Sequence, residues 1–238
     1  MNLFVANWKM NMLRAGARAY AQELGRRIGD RDLDVELVVA PPLTALDAAR
    51  DAGERWSMAA QNVSSEAEGA FTGEVSARQL VDAGCRYVII GHSERRRIFG
   101  EDSRMLAAKL QRAREANLTP IYCVGETEEE RSKGLSLATL ARQAETLAGD
   151  PAHLPLVVAY EPVWAIGTGV MATADDCSAA SAHLRALLSP RHDLRVLYGG
   201  SVTPDNAREM LEGSEVEGFL IGGASLSAAS FAAIAGIP

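Results

Sequence analysis

Three side chains that suit proton transfer stand directly after short apolar segments of the sequence. Glu161 closes one such segment, His92 follows another after a single glycine, and Lys9 comes just beyond the first. Carboxylates and imidazoles are the usual general acids and bases of enzymes, and an ammonium group can stabilise negative charge on a substrate. Taken singly, Lys9 could be a solvated surface lysine and His92 a structural histidine, so the hypothesis depends on whether the three side chains meet.

Glu161 is the sharpest of these candidates because of its neighbours in sequence. The residues before it, Leu156–Tyr160, form an apolar run, which puts the carboxylate next to low-dielectric surroundings. Pro162 after it favours an extended backbone at Glu161. Because burial disfavours the charged form, we expect a raised pKa for Glu161 and a role as general base.

Three glycine-bearing segments are candidates for binding an anion: Gly167-Thr168-Gly169, Gly199-Gly200-Ser201 and Gly222-Gly223. Glycine allows backbone N–H groups to approach a phosphate closely, and a helix that begins behind such a turn adds positive partial charge. Ordinary tight turns have the same composition, and any one segment alone favours that simpler interpretation. Two of the segments follow the last two predicted strands, where barrel enzymes often bind phosphate.

A scaffold for these side chains is indicated by the alternation of short apolar runs with stretches of helical spacing. We predict eight strands, at residues 3–9, 35–41, 56–61, 87–91, 119–124, 156–161, 195–198 and 218–221. Continuous apolarity indicates strands buried on both faces, as in a parallel sheet covered by helices. Eight strand–helix units predict an α/β protein with a closed (β/α)8 barrel, although the pattern alone leaves an open doubly wound sheet possible.

Helix starts are recognisable between the predicted strands. Ser76 and Gln79 have the spacing of a capping box, and Thr173 with Asp176 resembles it. The pair Thr203-Pro204 predicts a helix with threonine as the N-cap and proline at the first helical position. After Ser103, three apolar residues fall on one helical face: Leu106, Leu110 and Ala113.

The carboxyl ends of the strands form a single rim in a closed parallel barrel, and enzymes of this architecture carry their chemistry there. Lys9, His92 and Glu161 each stand at such an end, and so do the glycine segments after strands seven and eight. The predicted fold therefore brings these distant segments together without a further assumption.

Length, charge and cysteine content limit the possible functions. The chain has 238 residues, which suits one barrel, so we treat 1–238 as a single domain. The formal net charge of −7 argues against nonspecific nucleic-acid binding, and it means that an anionic substrate must be attracted locally. No apolar run reaches the roughly 20 residues of a membrane helix, and the N-terminus does not resemble a signal peptide. Three cysteines without CxxC spacing favour reduced thiols in a cytoplasmic protein over disulfides or a metal site.

Six segments resemble the signature segments of the triosephosphate isomerase family, in the family's order and at its approximate spacing. They are Ala6-Asn7-Trp8-Lys9-Met10-Asn11, Gly69-Ala70-Phe71-Thr72-Gly73-Glu74, Gly91-His92-Ser93-Glu94-Arg95-Arg96, the segment from Ala159 to Gly169, Tyr198-Gly199-Gly200-Ser201-Val202 and Gly222-Gly223-Ala224-Ser225-Leu226. The likeness covers the whole chain, and the segment around Glu161 is highly specific. It implies a TIM barrel, the (β/α)8 fold of this family.

The resemblance implies a reversible, cofactor-free isomerisation of dihydroxyacetone phosphate and D-glyceraldehyde 3-phosphate through an enediol(ate), in glycolysis and gluconeogenesis. Glu161 would take the proton from one carbon and return it to the next. His92 would polarise the carbonyl and shuttle protons between the oxygens, and in this family it does so as a neutral imidazole whose pKa a helix N-terminus lowers. Lys9 would attract the substrate, with Asn7 beside it. Four residues would hold the phosphate through backbone groups: Gly167, Ser201, Gly222 and Gly223.

The resemblance also implies a lid and a dimer. Residues 162–168 match the family's mobile lid, whose closure would exclude water and keep the enediolate from losing phosphate. The loop from Phe71 to Glu74 matches the segment that enters a neighbouring subunit and supports the lysine, so a homodimer is implied. The partners implied are thus a small triose phosphate and a second copy of the chain, with no nucleic acid and no membrane.

Two features depart from the family's pattern. Val170-Met171-Ala172 stands where a lysine or arginine followed by a small residue is common, at the lid's far hinge, so lid motion could differ in this chain. The link 189–193 before strand seven is short, and we expect it to affect stability rather than chemistry because it lies at the other end of the barrel.

Two alternative functions stay open at the level of sequence. Another phosphate-handling barrel enzyme would have to carry His92, Glu161 and Lys9 on three separate strand ends by coincidence, and fold alone does not choose between chemistries. A catalytically silent barrel that is kept for binding would be expected to have lost one of these side chains, and all three are present.

Overall fold

Eight parallel strands close into a barrel in sequence order. They are β1 (Asn2–Asn7), β2 (Val35–Ala40), β3 (Ser57–Ala60), β4 (Cys85–Ile90), β5 (Thr119–Val124), β6 (Leu156–Tyr160), β7 (Leu194–Tyr198) and β8 (Gly218–Ile221). The computed structural model describes residues 1–52, 55–151, 153–168, 170–191 and 193–237. Because β1 pairs with β8 from Leu3 and Gly218 to Ala6 and Ile221, the barrel is closed and the open doubly wound sheet is wrong.

Each predicted strand has an observed counterpart, but several observed strands end earlier than predicted. Lys9, Gly91 and Glu161 all lie beyond the last residue of their strands. Backbone φ angles of 52° at Lys9 and 70° at Gly91 turn the chain out of the sheet at these points. The residues with candidate chemistry therefore stand on the rim of the barrel rather than within its sheet.

Alternate residues of each strand point into two different cores. In β1, Leu3 and Val5 pack inside the barrel, whereas Phe4 and Ala6 face the surrounding helices. Burial on both faces explains why the strands appear in the sequence as continuous apolar runs. The interior of the barrel is filled with side chains and is not a pore.

The barrel is surrounded by α1 (Arg14–Ile28), α2 (Leu46–Arg50), α3 (Ala77–Asp82), α4 (Ser93–Phe99), α5 (Ser103–Glu115), α6 (Glu128–Ser132), α7 (Ser136–Ala144), α8 (Ala174–Leu187), α9 (Ala207–Gly213) and α10 (Ala228–Ile234). Capping boxes at Ser76 and Thr173 begin α3 and α8, as predicted. The predicted apolar face of α5 is buried, and it includes Leu106, Leu110 and Ala113.

The helix start predicted at Thr203-Pro204 is wrong. The helix α9 begins at Ala207, and the residues before it form a turn. The side chain of Asn206 accounts for the difference, because its Oδ1 accepts the backbone N–H of Thr203 at 2.8 Å and closes the turn before the helix begins. No helix therefore starts directly behind Ser201.

The short link between α8 and β7 is anchored by a buried ion-pair network. The carboxylate of Asp150 accepts two bonds from Arg114, at 2.7 and 2.6 Å, and one from Arg191 at 2.8 Å. Arg191 belongs to the link, and it also donates to the carbonyl oxygen of Leu154 at 2.9 Å. The Asp150 and Arg191 side chains are only 1% and 3% exposed. The network lies at the amino ends of β6 and β7, away from the rim; His192 of the link is outside the described residues.

Two further properties concern the whole chain. Among the described residues, no helix combines the length and the apolarity that crossing a bilayer requires.

The three cysteines are buried free thiols, and burial raises the pKa of Cys85 and of Cys177 to about 12. At neutral pH these thiols are therefore protonated and poorly reactive.

Candidate active site

The three predicted side chains meet on the rim of the barrel, around one cavity of about 270 Å³. Lys9 follows β1, His92 follows β4, and Glu161 follows β6. The turns after β7 and β8 form the opposite wall of the cavity. All the predicted substrate-binding residues border it: Asn7, Lys9, Gly167, Ser201, Gly222 and Gly223.

Glu161 is buried, with 1% of its surface exposed, and both carboxylate oxygens are engaged. Its Oε2 accepts the backbone N–H of Ser93 at 2.8 Å, and its Oε1 lies 2.9 Å from His92 Nε2. Gly199 makes this position possible, since a Cβ there would lie 2.9 Å from Glu161 Cγ. The glycine after β7 is therefore needed for packing against Glu161, whatever it contributes to phosphate binding.

The pKa of Glu161 is lowered, so the expected rise is wrong for this arrangement. Burial raises the pKa, as predicted, but the His92 ring, the Ser93 N–H and the charge of Lys9 favour the carboxylate and outweigh burial. Desolvation alone predicts a rise in the pKa, and the partners that outweigh it follow other strands, so they leave no signal in the sequence around Glu161. A lowered pKa keeps Glu161 ionised at neutral pH, which is the form that accepts a proton.

His92 is the N-cap of α4, and its Nδ1 accepts the backbone N–H of Glu94 at 3.2 Å. A ring nitrogen that accepts a hydrogen bond carries no proton, so this contact favours the neutral ring with Nε2–H facing Glu161. Burial lowers the pKa of His92, but the charge and hydrogen bond of Glu161 raise it above its ordinary value. The helix N-terminus implied by the resemblance is present, but the implied lowering of the His92 pKa is wrong for this arrangement, because Glu161 raises it.

Lys9 reaches the cavity from a left-handed backbone position, with φ of 52°. Its N–H donates to Asn7 Oδ1 at 3.1 Å, and its carbonyl oxygen accepts from Gln61 Nε2 at 2.9 Å. Its Nζ pairs with Glu94 Oε1 at 2.6 Å. Sequence reasoning did not single out Glu94, although its place two residues after His92, in the first turn of a helix that begins on the rim, was an available signal.

Residues of the turns after β7 and β8 line the cavity. A 3₁₀ turn, Gly223–Leu226, begins at the cavity edge, and the first N–H groups of such a turn have no acceptor within it. Gly222 also gives Lys9 space, because a Cβ at Gly222 would lie 3.3 Å from Lys9 Cε. The hydroxyl of Ser201 donates to the carbonyl oxygen of Ala165 at 2.7 Å, which joins the turn after β7 to the segment after β6.

Comparison with known proteins decides the family. The profile of the family described as triosephosphate isomerase matches residues 2–237. The chain belongs to the triosephosphate isomerase family. The triosephosphate isomerase of Symbiobacterium thermophilum is 46% identical over 98% of this chain and 94% of its own length. Those of Thermus thermophilus and Citrifermentans bemidjiense are each 45% identical over 98% of this chain and 96% of their own.

Membership of the triosephosphate isomerase family confirms the resemblance and the TIM barrel. The three relatives are named triosephosphate isomerase, and each matches this chain over nearly its whole length. Both alternatives, a different phosphate-handling enzyme and a silent barrel, are therefore set aside. Within the described ranges, no three histidine, cysteine, aspartate or glutamate side chains gather as ligands of a metal ion.

The segment that matches the lid of triosephosphate isomerases, residues 162–168, is anchored at its start. Trp164 Nε1 donates to the buried carboxylate of Glu126 at 2.8 Å. The guanidinium group of Arg131 lies over the Trp164 ring, 4.0 Å from its centroid. Neither Glu126 nor Arg131 was predicted, because no candidate chemistry marked the end of β5. Gly169, which continues the lid segment, lies outside the described residues.

Proposed function

We propose that Glu161, His92 and Lys9 carry the reaction of the triosephosphate isomerase family in this chain. The chain interconverts dihydroxyacetone phosphate and D-glyceraldehyde 3-phosphate, a step of glycolysis and gluconeogenesis. The observation that carries the assignment of residues is their convergence. One cavity is bordered by an ionised carboxylate, an imidazole N–H and an ammonium group on one side and by glycine turns on the other.

The proton transfers follow from the positions of Glu161 and His92. In one direction, Glu161 takes the proton from the carbon next to the aldehyde of glyceraldehyde 3-phosphate, while His92 Nε2–H donates to the aldehyde oxygen. The electrons of the broken C–H bond form the carbon–carbon double bond of an enediol(ate). His92 takes the proton of the neighbouring hydroxyl, and Glu161 returns its proton to the former aldehyde carbon, which gives dihydroxyacetone phosphate. Atoms and electrons balance without a redox partner.

Substrate binding must first rearrange the pair. Glu161 Oε1 is 2.9 Å from His92 Nε2, so the carboxylate takes the hydrogen-bond site on His92 that the substrate oxygen needs. A substrate carbonyl that takes the Nε2–H bond releases the carboxylate, and Glu161 must also leave the Ser93 N–H to approach a carbon. Because Glu161 is the main group that raises the pKa of His92, its departure favours the neutral imidazole, which keeps the Nε2–H that donates to the substrate oxygen.

Lys9 solves the problem of attracting an anion to a protein with a net charge of −7. It supplies a positive charge at the cavity, and we expect backbone groups of Gly167, Ser201, Gly222 and Gly223, which border the same cavity, to hold the phosphate. Asn7 supports Lys9 through the bond from the Lys9 N–H. Because Lys9 Nζ is paired with Glu94 Oε1 in the free site, the substrate anion has to share or replace that carboxylate as the partner of the ammonium group.

Replacing Lys9 by alanine should raise the Michaelis constant and lower turnover together, reducing kcat/KM by about 10²-fold. The loss in kcat/KM then reports the removal of the cation. A change in backbone strain does not contribute, because alanine and lysine tolerate the left-handed backbone of this position equally poorly. Steady-state kinetics of the isomerisation measure the effect. The matched control is Lys133→Ala, which removes an exposed lysine that pairs with Glu129 at the end of α6. An unchanged kcat/KM in Lys9→Ala defeats the assignment.

The lid assignment extends the same account. Residues 162–168 begin directly after the base, and Ile166 and Gly167 of this segment line the cavity. A lid there excludes water and keeps the enediol(ate) from expelling its phosphate. The anchoring of Trp164 by Glu126 and Arg131 supports a fixed attachment for one end of the lid.

We further propose a homodimer in which the loop from Phe71 to Glu74 enters the partner subunit. The loop is exposed, with Phe71 46% accessible. A groove of about 350 Å³ runs beside Lys9 and is bordered by apolar residues such as Met10 and Phe99, which are 95% and 63% exposed. Such exposed apolar surface is typical of interaction sites. A loop from a second copy in this groove would cover it and restrict Lys9.

An arginine at Thr72 should weaken this dimer, because its long charged side chain would have to fit into a partly apolar groove of about 350 Å³ that already contains Lys9 and Arg95. We expect Thr72→Arg to sediment as a monomer at low micromolar concentration, with reduced kcat/KM because Lys9 loses its support. The exposed Ser132→Arg variant in α6 controls for the added charge. Sedimentation of Thr72→Arg as a stable dimer contradicts the docking of this loop.

The remaining proposals are that residues 1–238 act as one domain in the cytoplasm. They rest on the continuous barrel and on the metabolic role of the family. The direct test of function is a coupled assay of the purified protein with D-glyceraldehyde 3-phosphate, with a chelator present and no cofactor other than the one that the coupling enzyme uses. Rapid formation of dihydroxyacetone phosphate supports the proposal, and a rate equal to the uncatalysed background sinks it.

A further inference from the structure

Gly125 stands directly after β5 and is packed against the main chain of Glu161. A Cβ at Gly125 would lie 1.7 Å from the carbonyl oxygen of Glu161 and 2.5 Å from its carbonyl carbon, so a larger residue fits only if Glu161 moves. One residue earlier, the carbonyl oxygen of Val124 accepts the N–H of Glu161 at 2.7 Å. The main chain of the proposed base therefore rests on the end of β5.

The side chain of Gln143 holds Gly125 from outside the barrel. Its Oε1 accepts the Gly125 N–H at 2.9 Å, and its Nε2 donates to the Gly125 carbonyl oxygen at 3.0 Å. In the part of the chain that the structure describes, these are the hydrogen bonds that the Gly125 main chain makes. A neutral amide offers one acceptor and one donor side by side, as a neighbouring strand would. Gln143 thus extends the hydrogen bonding of the barrel one residue beyond the sheet.

Gln143 is itself held in place by α7. Three residues of this helix are buried against the barrel, Thr139, Leu140 and Ala144, and the main-chain carbonyl oxygen of Gln143 accepts the Tyr122 hydroxyl at 3.3 Å. The helix therefore docks through contacts of its own. The two amide bonds add the fixing of the end of β5.

A second cavity lies beside this contact. It has a volume of about 300 Å³ and is bordered by Gly125, Gln143 and Glu161. Glu161 also borders the substrate cavity, whereas Gly125 and Gln143 are not among the described residues that line it. Because there is space next to the close main-chain contact, loss of the amide bonds would allow Gly125 to shift, and the main chain of Glu161 with it.

We propose that Gln143 is a positioning residue for the base, an inference that rests on the proposed function of Glu161. Gln143 fixes the main chain of Gly125 and, through it, the main chain from which the Glu161 carboxylate reaches the substrate. The carboxylate has to leave the Ser93 N–H and the His92 ring to take a proton, so these two bonds do not fix its working position. A small shift of the main chain should therefore lower turnover without changing how the phosphate binds.

The test is Gln143→Met, which keeps the length of the side chain and removes both bonds. We expect kcat for D-glyceraldehyde 3-phosphate to fall about three- to thirtyfold, less than the roughly 10²-fold cost of a 1 Å displacement. KM and the inhibition constant of inorganic phosphate should stay within about twofold of wild type, since no group that binds the phosphate is changed. The matched control is Gln111→Met, which removes an exposed amide that pairs with Glu115 and should leave all three constants unchanged.

Two further comparisons separate positioning from a structural role. Leu140→Ala loosens the packing of the same helix, so it should lower the melting temperature but keep kcat per folded molecule. The double variant Gln143→Met with Glu161→Asp tests whether both changes act on the same carboxylate. Once aspartate has withdrawn the carboxylate, Gln143→Met should cost less than about twofold more in kcat.

Wild-type kcat in Gln143→Met, a rise in KM alone, an equal loss of kcat in Leu140→Ala, or effects that multiply in the double variant would each overturn this inference. Failure of the proposed function gives a different result, because the wild type would then lack isomerase activity or Glu161→Asp would keep near-normal turnover. If the wild type is active, Glu161→Asp is impaired and Gln143→Met equals the wild type, only the positioning role of Gln143 fails.

Discussion

Replacing Glu161 by aspartate should lower turnover by about 10²-fold or more while the fold persists. Aspartate keeps the charge but withdraws the carboxylate by roughly 1 Å, and misplacement of that size is this costly in a proton transfer between fixed groups. The shorter side chain also loses contact with the Ser93 N–H and the His92 ring, which now hold Glu161 ionised. Steady-state kinetics of purified protein in both directions measure the loss.

The control for this variant is Glu129→Asp, which shortens an exposed glutamate of α6 by the same methylene. It should have the turnover of the wild type. Equal melting temperatures of the two variants would attribute the loss in Glu161→Asp to chemistry rather than to folding. Near-normal turnover in Glu161→Asp removes this residue from the role of base.

Replacing Asp150 by alanine should lower the free energy of unfolding by about 3–5 kcal/mol. The change leaves Arg114 and Arg191 buried without the carboxylate that they share, and an uncompensated buried charge is strongly destabilising. For a protein of this size we expect the melting temperature to fall by roughly 6–20 °C. Urea unfolding followed by circular dichroism measures the free energy.

The same variant should keep its activity per folded molecule, since the network lies at the amino ends of the strands. Asp82→Ala, which removes an exposed aspartate at the end of α3, is the matched control and should change stability little. A loss below about 1 kcal/mol in Asp150→Ala, in the range of surface ion pairs, would show that the network does not anchor the short link.

The barrel was predictable because its determinants are local. Each strand is a continuous apolar run in the sequence, and capping boxes such as Ser76 with Gln79 mark where helices begin. The rim was predictable too, since parallel strands that close a barrel bring their carboxyl ends together. For this reason the sequence alone places Lys9, His92 and Glu161 in one group.

Features that depend on contacts between distant segments were not predictable. The pKa of Glu161 is set by His92, Ser93 and Lys9 from two other strands, and burial alone gave the wrong direction. The start of α9 moved to Ala207 because the side chain of Asn206 closed a turn first.

Two glycines illustrate the same limit. Their sequence context predicts phosphate-binding turns, and both Gly199 and Gly222 line the cavity. The coordinates add that Gly199 leaves space for Glu161 and that Gly222 leaves space for Lys9. When a glycine leaves space for a side chain that follows another strand, the residues around that glycine do not indicate it. The roles of the site residues and the dimer stay predictions until the variants are measured.

The most direct test of the central claim, that Glu161 transfers a proton between the two carbons, is isomerisation in deuterated water. Wild-type enzyme should convert D-glyceraldehyde 3-phosphate to dihydroxyacetone phosphate that carries solvent deuterium on the carbon of the former aldehyde, because a carboxylic acid exchanges its proton with solvent. Glu161→Gln should give neither product nor label above background. Labelled product at the wild-type rate from Glu161→Gln, or deuterium on the carbon that bears the phosphate in the wild-type product, would contradict the account.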